Sequence, residues 1–213
     1  EGQNTNRKIQ DLKDQLRSIR FEIDRELNNT GKIIGITSTK AAEGKTFVAV
    51  NLAYAYSMID KKVLLIDGNF CNPSISQTAN PQYYIEDILH NDNTKPEFGN
   101  ELIQVIGNRG GDYSLLEISR EDTVKRRIEE FKSAFDVIII ETAALDTISK
   151  SKEWFLFTDK ILGIMETNQS LRGSRKQHVN YLKTLDNKFM GWILNKVRDE
   201  KDQQKKKSWF KKS

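Results

Sequence analysis

The sequence has a single cysteine, three prolines and no long apolar run. One cysteine, Cys71, excludes an internal disulfide framework and favours a reducing compartment. The longest mostly apolar stretch, residues 47–59, is interrupted by polar residues and is too short to span a bilayer. The two histidines, His90 and His178, lack the neighbouring Cys or acidic spacing of a zinc site, and we expect both on the surface.

Net charge is small outside the last thirteen residues. The chain has 34 Lys and Arg against 30 Asp and Glu, a formal charge of +4. Residues 201–213 hold six lysines and one aspartate, a charge of +5, which leaves −1 for the rest. A nearly neutral body is a poor candidate for a nucleic-acid surface, so no nucleic-acid partner is expected. We expect the tail to be disordered, with Trp209–Phe210 as a weak anchor for anionic lipid as the alternative.

The apolar residues form one helical pattern and then strands that alternate with helices. Residues 7–27 contain no Gly or Pro and place apolar residues three and four apart, which predicts a long helix. Strand patterns follow at 32–37, 62–67, 101–106, 136–141, 160–165 and 190–195, and helical patterns at 46–58, 122–131 and 169–185. This alternation predicts an α/β fold, a mostly parallel twisted sheet with helices on both faces. We expect an N-terminal helix in residues 1–30, one domain in 31–197 and a tail in 198–213.

A Gly-Lys-Thr triplet lies where the first predicted strand meets a helix. There, backbone N–H groups and the helix N-terminus can hold phosphate oxygens. Lys45 would reach the β- and γ-phosphates, and the Thr46 hydroxyl would ligate Mg²⁺. The full phosphate-loop pattern has Gly at the position of Thr39, so this chain matches it only in part. The triplet, which begins at Gly44, is indicated mainly by its position between a strand and a helix. An ordinary capped helix start is the alternative.

Two acidic residues end predicted strands beside this loop. Asp67 ends KVLLID, and Glu141 ends DVIIIE. A parallel α/β sheet binds ligands at the carboxyl ends of its strands. Either carboxylate is therefore suited to hold a metal ion directly or through water beside the phosphates. Caps of the following turns are the alternative, but two acids beside a phosphate loop favour a metal site.

Three short motifs carry a family resemblance that spans residues 14–197. Residues 38–46, STKAAEGKT, are followed by NLA at 51–53, as in the pattern S-x-x-P-G-E-G-K-[ST] with a later N-L-A. Residues 67–71, DGNFC, align with D-x-D-x-R, and residues 141–144, ETAA, align with D-[ST]-P-P. The chain thereby resembles the cytoplasmic domain of the bacterial tyrosine kinases (BY-kinases) of capsular and exopolysaccharide co-polymerases.

The resemblance implies ligands, site residues and self-association. The implied ligands are ATP or ADP and Mg²⁺. The implied catalytic residues are Lys45 and Asp67, the latter as base for a tyrosine hydroxyl, and the implied metal residues are Thr46, Asp67 and Glu141. The implied nucleotide contacts are Lys40, Ala42, Glu43, Gly44, Lys45, Thr46, Phe47 and Asn195, the last near the adenine in related ATPases. Asp14, Arg17 and Arg20 repeat the family's oligomerisation motif E-x-x-R-x-x-R with Asp for Glu.

The departures from the family pattern concern the metal and the substrate. Asn69 replaces an acid, Glu141 is one methylene longer than Asp, and Mg²⁺ demands near-ideal octahedral geometry. Ala42 replaces a glycine, at a cost of about 1–2 kcal/mol if that position has a positive φ. Cys71 replaces an arginine, and no tyrosine follows Tyr181, where active relatives carry a cluster. These departures predict weakened or lost kinase activity.

The expected function is that of an ATP- and Mg²⁺-binding module of a membrane-anchored exopolysaccharide regulator. It would lie at the cytoplasmic face of the plasma membrane and assemble with copies of itself, as an oligomer or ring. Because the chain begins at Glu1 without Met, a longer protein with a membrane segment upstream stays open. Two alternatives remain: a scaffold without chemistry, and a dimeric ATPase like ParA and MinD. The latter rests on the tail and on Lys40, at the position of their signature lysine that crosses the dimer interface.

Overall fold

Seven parallel strands form one sheet in the order β3-β4-β2-β5-β1-β6-β7. The computed structural model describes residues 2–28, 31–91 and 94–197, so the basic tail and its Trp209–Phe210 pair lie outside it. The strands are β1 (Ile33–Ser38), β2 (Val63–Gly68), β3 (Tyr83–Tyr84), β4 (Ile103–Gly107), β5 (Val137–Thr142), β6 (Lys160–Glu166) and β7 (Phe189–Asn195). The predicted α/β fold is confirmed.

Eight helices connect or precede the strands in the described residues. They are α1 (Gly2–Leu27), α2 (Lys45–Ser57), α3 (Ser74–Ala79), α4 (Ile85–His90), α5 (Leu115–Ile118), α6 (Glu121–Ala134), α7 (Ile148–Phe155) and α8 (Ser174–Lys183). Short 3₁₀ turns lie at Leu145–Thr147 and Asp186–Lys188. None of the helices in this part of the chain has the length and apolar character needed to cross a membrane.

Alternating strand residues build a hydrophobic core on each face of the sheet. Leu64 and Ile66 of β2 join the cluster under α4, α6 and α7, whereas Val63 and Leu65 join the cluster under α1 and α2. This follows from the two-residue period of a strand, which sends successive side chains to opposite faces. Both faces are therefore covered, and the free surface for a ligand is left at the carboxyl edge of the sheet.

Helix α1 is packed onto the domain by both apolar and polar contacts. Ile23 belongs to the core cluster beneath α2. The Arg20 guanidinium donates to the Ala55 carbonyl oxygen at 2.6 Å. Of the three residues expected at an oligomer contact, Arg20 is thus engaged within its own chain. The other two form an ion pair of 2.7 Å, Arg17 with Asp14, and both side chains are more than half exposed.

Helix α8 starts later than predicted and packs against the phosphate loop, residues 38–46. It begins at Ser174, after Gly173 in the left-handed φ range (57°), and not at residue 169. Its buried side chains Arg175, His178 and Leu182 are spaced three and four apart on one face. The expectation of a surface position for His178 is wrong, because this face packs inward. Trp154 is buried in the core cluster under α4, α6 and α7.

Candidate nucleotide-binding site

The ends of three neighbouring strands surround a cavity of about 530 Å³. The segment that follows β1, residues 39–44, lies beside the ends of β5 and β2 because β1 pairs with β5 and β5 with β2. The cavity, here called the phosphate cleft, is lined by Ala41, Ala42, Gly44, Lys45, Thr46, Phe47, Asn69, Cys71, Asn72, Ser74, Glu141, Ala144 and Asp146. Six residues predicted for the nucleotide or metal site therefore meet in one place.

Two residues of the phosphate loop adopt a left-handed backbone conformation. Gly44 precedes the first residue of α2 with a φ of 102°, and a Cβ there would lie 2.0 Å from Asn195 Nδ2. Glycine is therefore required at this position. Ala42 has a φ of 61°, so this alanine adopts the positive φ that would favour a glycine. The left-handed conformation costs an alanine about 1–2 kcal/mol relative to its preferred regions.

Lys45 places an ammonium group in a largely dry part of the cleft. Its residue is 6% exposed, and its Nζ donates to the Ser38 hydroxyl at 3.2 Å. Burial lowers the pKa of Lys45, and the nearby carboxylates of Glu141, Asp146 and Glu43 act in the opposite direction. A polyanion bound in the cleft would stabilise the charged ammonium group further. Binding phosphate in this way is the role of a phosphate-loop lysine.

Thr46 and Glu141 form the pair of oxygen groups best suited to a cation. The Thr46 hydroxyl donates to Glu141 Oε1 at 2.7 Å, and Glu141 Oε2 is buried without a hydrogen-bond partner. Burial raises the pKa of Glu141 to about 7, the charge of Asp67 adds to the rise, and the bond from Thr46 and the charge of Lys45 oppose it. A buried carboxylate oxygen without a donor, next to a hydroxyl, fits the oxygen ligands that Mg²⁺ prefers.

Asp67 is a sheet neighbour of Glu141, but its carboxylate is directed elsewhere. The two residues are in register on β2 and β5. Asp67 Oδ2 accepts hydrogen bonds from Ser76 N (2.9 Å) and Ser76 Oγ (2.7 Å), and Oδ1 accepts one from Asn69 N (3.2 Å). Burial raises the pKa of Asp67, and these hydrogen bonds oppose the rise. The carboxylate thus holds the start of α3, while the neutral Asn69 lines the cleft.

Glu43 stabilises the phosphate loop by hydrogen bonds within the loop and an ion pair to α8. Its Oε2 accepts hydrogen bonds from Thr39 Oγ1 (2.7 Å) and Lys40 N (2.9 Å), and its Oε1 forms a buried ion pair of 3.0 Å with Arg175 of α8. His178 Nδ1 donates to the Thr39 carbonyl oxygen at 2.9 Å. Lys40 itself is exposed. Lys40 and Glu43 therefore lie next to the cleft without lining it.

A second groove continues from the cleft between α1 and the end of β7. Phe47 lines both cavities, and the groove, of about 1000 Å³, also contains Asp14, Asn195 and Val197 in its lining. Phe47 and Val197 are exposed apolar residues. A nucleotide with its phosphates in the cleft would have an apolar surface for its base on this side, where Asn195 was predicted.

Two charged residues in or beside the cleft, Asp146 and Lys150, were not indicated by the sequence motifs. Asp146 Oδ2 accepts a hydrogen bond from Ala41 N at 3.4 Å, and the only sequence signal for it is an acid in the turn after β5. Lys150 Nζ lies 3.4 Å from Cys71 Sγ and 2.6 Å from Asp112 Oδ1. A cation thus stands at the mouth of the cleft near the position where the BY-kinase pattern has arginine.

The family described as CobQ/CobB/MinD/ParA nucleotide binding domain (CbiA) matches residues 34–213. Among curated relatives, the succinoglycan biosynthesis transport protein ExoP of Rhizobium meliloti (strain 1021) is 26% identical over 176 residues, 78% of this chain and 22% of ExoP. The tyrosine-protein kinase CpsD of Streptococcus agalactiae is 23% identical over 175 residues, 79% of this chain and 76% of CpsD. The sporulation initiation inhibitor protein Soj of Bacillus subtilis (strain 168) is 35% identical over 124 residues, 52% of this chain and 49% of Soj.

Solved structures show the same fold. The chimerical protein CapA2B2 has a TM-score of 0.76 at 20% identity and covers 87% of this chain and 85% of its own. The kinase domain of the Escherichia coli tyrosine kinase ETK has a TM-score of 0.74 at 20% identity, with coverage of 88% and 76%. The septum site-determining protein MinD with Mg-ADP from Pyrococcus horikoshii OT3 has a TM-score of 0.60 at 22% identity, with coverage of 79% and 72%.

Proposed function

The chain belongs to the CobQ/CobB/MinD/ParA nucleotide-binding domain family, and from this premise we propose that it binds ATP or ADP together with Mg²⁺. The observation that supports this most is the convergence of Lys45, Thr46 and Glu141 on one cleft at the start of α2. The loop before α2 offers backbone donors, Lys45 offers a positive charge, and the other two offer oxygen ligands.

Mg²⁺ would be held by the Thr46 hydroxyl and by Glu141, directly or through water. The ion would neutralise charge on the β- and γ-phosphates. Within residues 2–28, 31–91 and 94–197, no three His, Cys, Asp or Glu side chains converge on a metal position. The protein therefore supplies few anionic ligands, and we propose that the metal arrives with the nucleotide rather than binding alone.

We propose further that the domain is a degenerate relative of the BY-kinases with weak or absent tyrosine phosphorylation. The relatives include a protein named tyrosine-protein kinase and a transport protein for succinoglycan biosynthesis. Two features argue for weak kinase activity. The Asp67 carboxylate already accepts two hydrogen bonds from Ser76, and the neutral Asn69 brings no charge to the cleft. A base must be within reach of the proton that it removes, and Asp67 does not line the cleft.

The setting that we propose is the cytoplasmic face of the plasma membrane, in an assembly of several copies. This chain matches 22% of the length of ExoP, so a longer protein or a separate membrane partner would provide the anchor. The exposed Asp14–Arg17 pair of α1 offers the surface for self-association. No nucleic-acid partner is proposed, because the basic excess lies in residues 201–213.

A calorimetric titration with Mg·ATP tests nucleotide binding. Lys45→Met should weaken the affinity by about 100-fold or more, because a buried charge-assisted contact to phosphate is removed. Lys188→Met is the matched control, since Lys188 is also partly buried but donates to Phe155 O at the opposite end of the sheet. Equal affinities in the wild type and Lys45→Met would place the nucleotide elsewhere.

A ParA- or MinD-like dimeric ATPase is the second candidate. Soj shares 35% identity over 124 residues, and the Lys40 side chain is exposed as a contact to a partner's nucleotide would require. Sedimentation with and without Mg·ATP distinguishes the candidates. A nucleotide-dependent dimer that Lys40→Ala abolishes would favour the ATPase. A scaffold without chemistry would assemble equally with or without nucleotide.

A further inference from the structure

Two adjacent residues at the end of β7 hold two adjacent carbonyl groups of the phosphate loop. Asn195 Nδ2 donates to Glu43 O at 3.0 Å, and Lys196 Nζ donates to Ala42 O at 2.9 Å. The bonds join segments that are more than 150 positions apart in the sequence. The loop conformation therefore depends on a distant part of the chain as well as on its own residues.

These bonds also set the direction of the N–H groups in the loop. In a trans peptide the C=O and N–H groups point in opposite directions. A fixed Ala42 carbonyl therefore fixes the N–H of Glu43, and a fixed Glu43 carbonyl fixes the N–H of Gly44. Both N–H groups are turned away from Asn195 and Lys196. Successive N–H groups with a common direction are what a phosphate-binding loop requires.

Ala42 and Lys196 share an uncommon backbone conformation. Seven non-glycine residues in the described part of the chain have a positive φ, and five of them are Asn or Asp, which tolerate it. The two others are Ala42 (61°) and Lys196 (56°). The hydrogen bond from Lys196 to the Ala42 carbonyl connects these two strained residues directly.

Lys196 is itself held in place by the end of β6. Its Nζ forms a 3.1 Å ion pair with Glu166 Oε2, and its carbonyl oxygen accepts a hydrogen bond of 3.0 Å from Thr167 Oγ1. The backbone N–H of Thr167 also donates to the Asn195 carbonyl oxygen at 3.0 Å. Both the backbone and the ammonium group of Lys196 are therefore held in place where the side chain contacts the Ala42 carbonyl.

We propose that Lys196 is a positioning residue for nucleotide binding, which holds Ala42 in the left-handed conformation that a glycine would adopt without support. The proposal rests on the nucleotide-binding function proposed above. Lys196 acts through the Ala42 carbonyl and not by contact with the phosphates. The lysine thus compensates for the alanine that replaces glycine in this loop.

The test is a double-mutant cycle read out by titration with Mg·ATP. Lys196→Met should weaken the affinity by about tenfold, because a charge-assisted hydrogen bond to the loop is lost. Ala42→Gly in the same background should restore the affinity to within about twofold of the wild type, since glycine needs no support there. Lys160→Met is the control, because Lys160 also bonds a carboxylate (Glu26) and a carbonyl oxygen (Asn187), at the other end of β6.

Hydrogen exchange of the nucleotide-free proteins separates this proposal from the proposed function. Lys196→Met should accelerate exchange in a peptide that covers residues 40–46, whereas Lys160→Met should leave it unchanged. Unchanged exchange in Lys196→Met, or a loss of affinity that Ala42→Gly does not restore, overturns the positioning role. A wild-type protein that binds no nucleotide overturns the proposed function and this role with it, even where the exchange result shows that the contact exists.

Discussion

The Thr46 hydroxyl donates a 2.7 Å hydrogen bond to Glu141 Oε1 across 95 positions of sequence. The extra methylene of Glu, relative to the Asp of the BY-kinase pattern, extends the carboxylate toward this hydroxyl. A hydroxyl that donates its hydrogen to a carboxylate keeps its oxygen lone pairs available, and Glu141 Oε2 has no hydrogen-bond partner. The bond therefore holds the two groups side by side, which supports the proposal that they ligate one Mg²⁺.

The stability of the protein should depend on pH through Glu141. Burial raises its pKa from 4.5 to about 7, so the folded protein retains a proton that the unfolded chain loses. This contribution is fully present below the unfolded pKa and is lost as pH rises through the folded pKa. Between about pH 5 and pH 8, the unfolding free energy of the wild type should therefore fall by up to about 3 kcal/mol more than that of Glu141→Gln.

Urea denaturation at a series of pH values measures this difference. Asp67 has a raised pKa as well and contributes in the same direction, so the comparison with Glu141→Gln isolates one carboxyl group. Curves of unfolding free energy against pH that run parallel in the two proteins would mean that Glu141 is ionised throughout.

An added acid in the cleft should strengthen metal-dependent nucleotide binding. Asn69 lines the cleft at the position where the BY-kinase pattern has its second acid. Asn69→Asp should raise the affinity for Mg·ATP over metal-free ATP by about tenfold, because an anionic oxygen ligand replaces a neutral one. Titrations with and without Mg²⁺ provide the ratio.

Asn72→Asp is the matched control for this change. Asn72 also lines the cleft, so the substitution adds the same charge without following the motif. An equal gain in the two variants would show that the effect is one of general charge and not of a ligand position.

The two arginines of α1 should respond differently to removal. Arg20→Ala deletes the hydrogen bond to Ala55 O, and we expect a loss of about 1–2 kcal/mol of unfolding free energy. Arg17→Ala removes only an exposed ion pair with Asp14 and should change stability by less than about 0.5 kcal/mol. Chemical denaturation measures both values.

Elution volume in size-exclusion chromatography then tests the proposed self-association. Arg17→Ala should shift an oligomer toward the monomer while the fold remains stable. An Arg17→Ala protein that elutes with the wild type would remove this surface from the proposal.

The central strands and the phosphate loop could be predicted from local sequence patterns. Five of the short apolar runs became β1, β2, β5, β6 and β7, and the run at 101–106 became β4. The two-residue strand β3 and the six-residue helices α3 and α4 are too short to show a period, so no pattern indicated them. Lys45, Thr46 and Glu141 were predicted because each follows or ends a recognisable element.

The support of the phosphate loop could not be predicted in the same way. His178 meets the Thr39 carbonyl across 139 positions, and Lys196 meets the Ala42 carbonyl across 154. Such contacts depend on the order of strands in the sheet, which places β6 and β7 beside β1. The occupation of Asp67 by Ser76 likewise depends on where α3 begins, and the sequence around it reads as a loop.

The most direct test of nucleotide binding with weakened kinase chemistry is one sample of wild-type protein, titrated with Mg·ATP by calorimetry and then analysed for phosphotyrosine by mass spectrometry. The proposal predicts saturable binding, with phosphotyrosine absent or at trace level after prolonged incubation. No heat of binding at millimolar ATP would contradict nucleotide binding, and stoichiometric phosphotyrosine would contradict the weakened kinase.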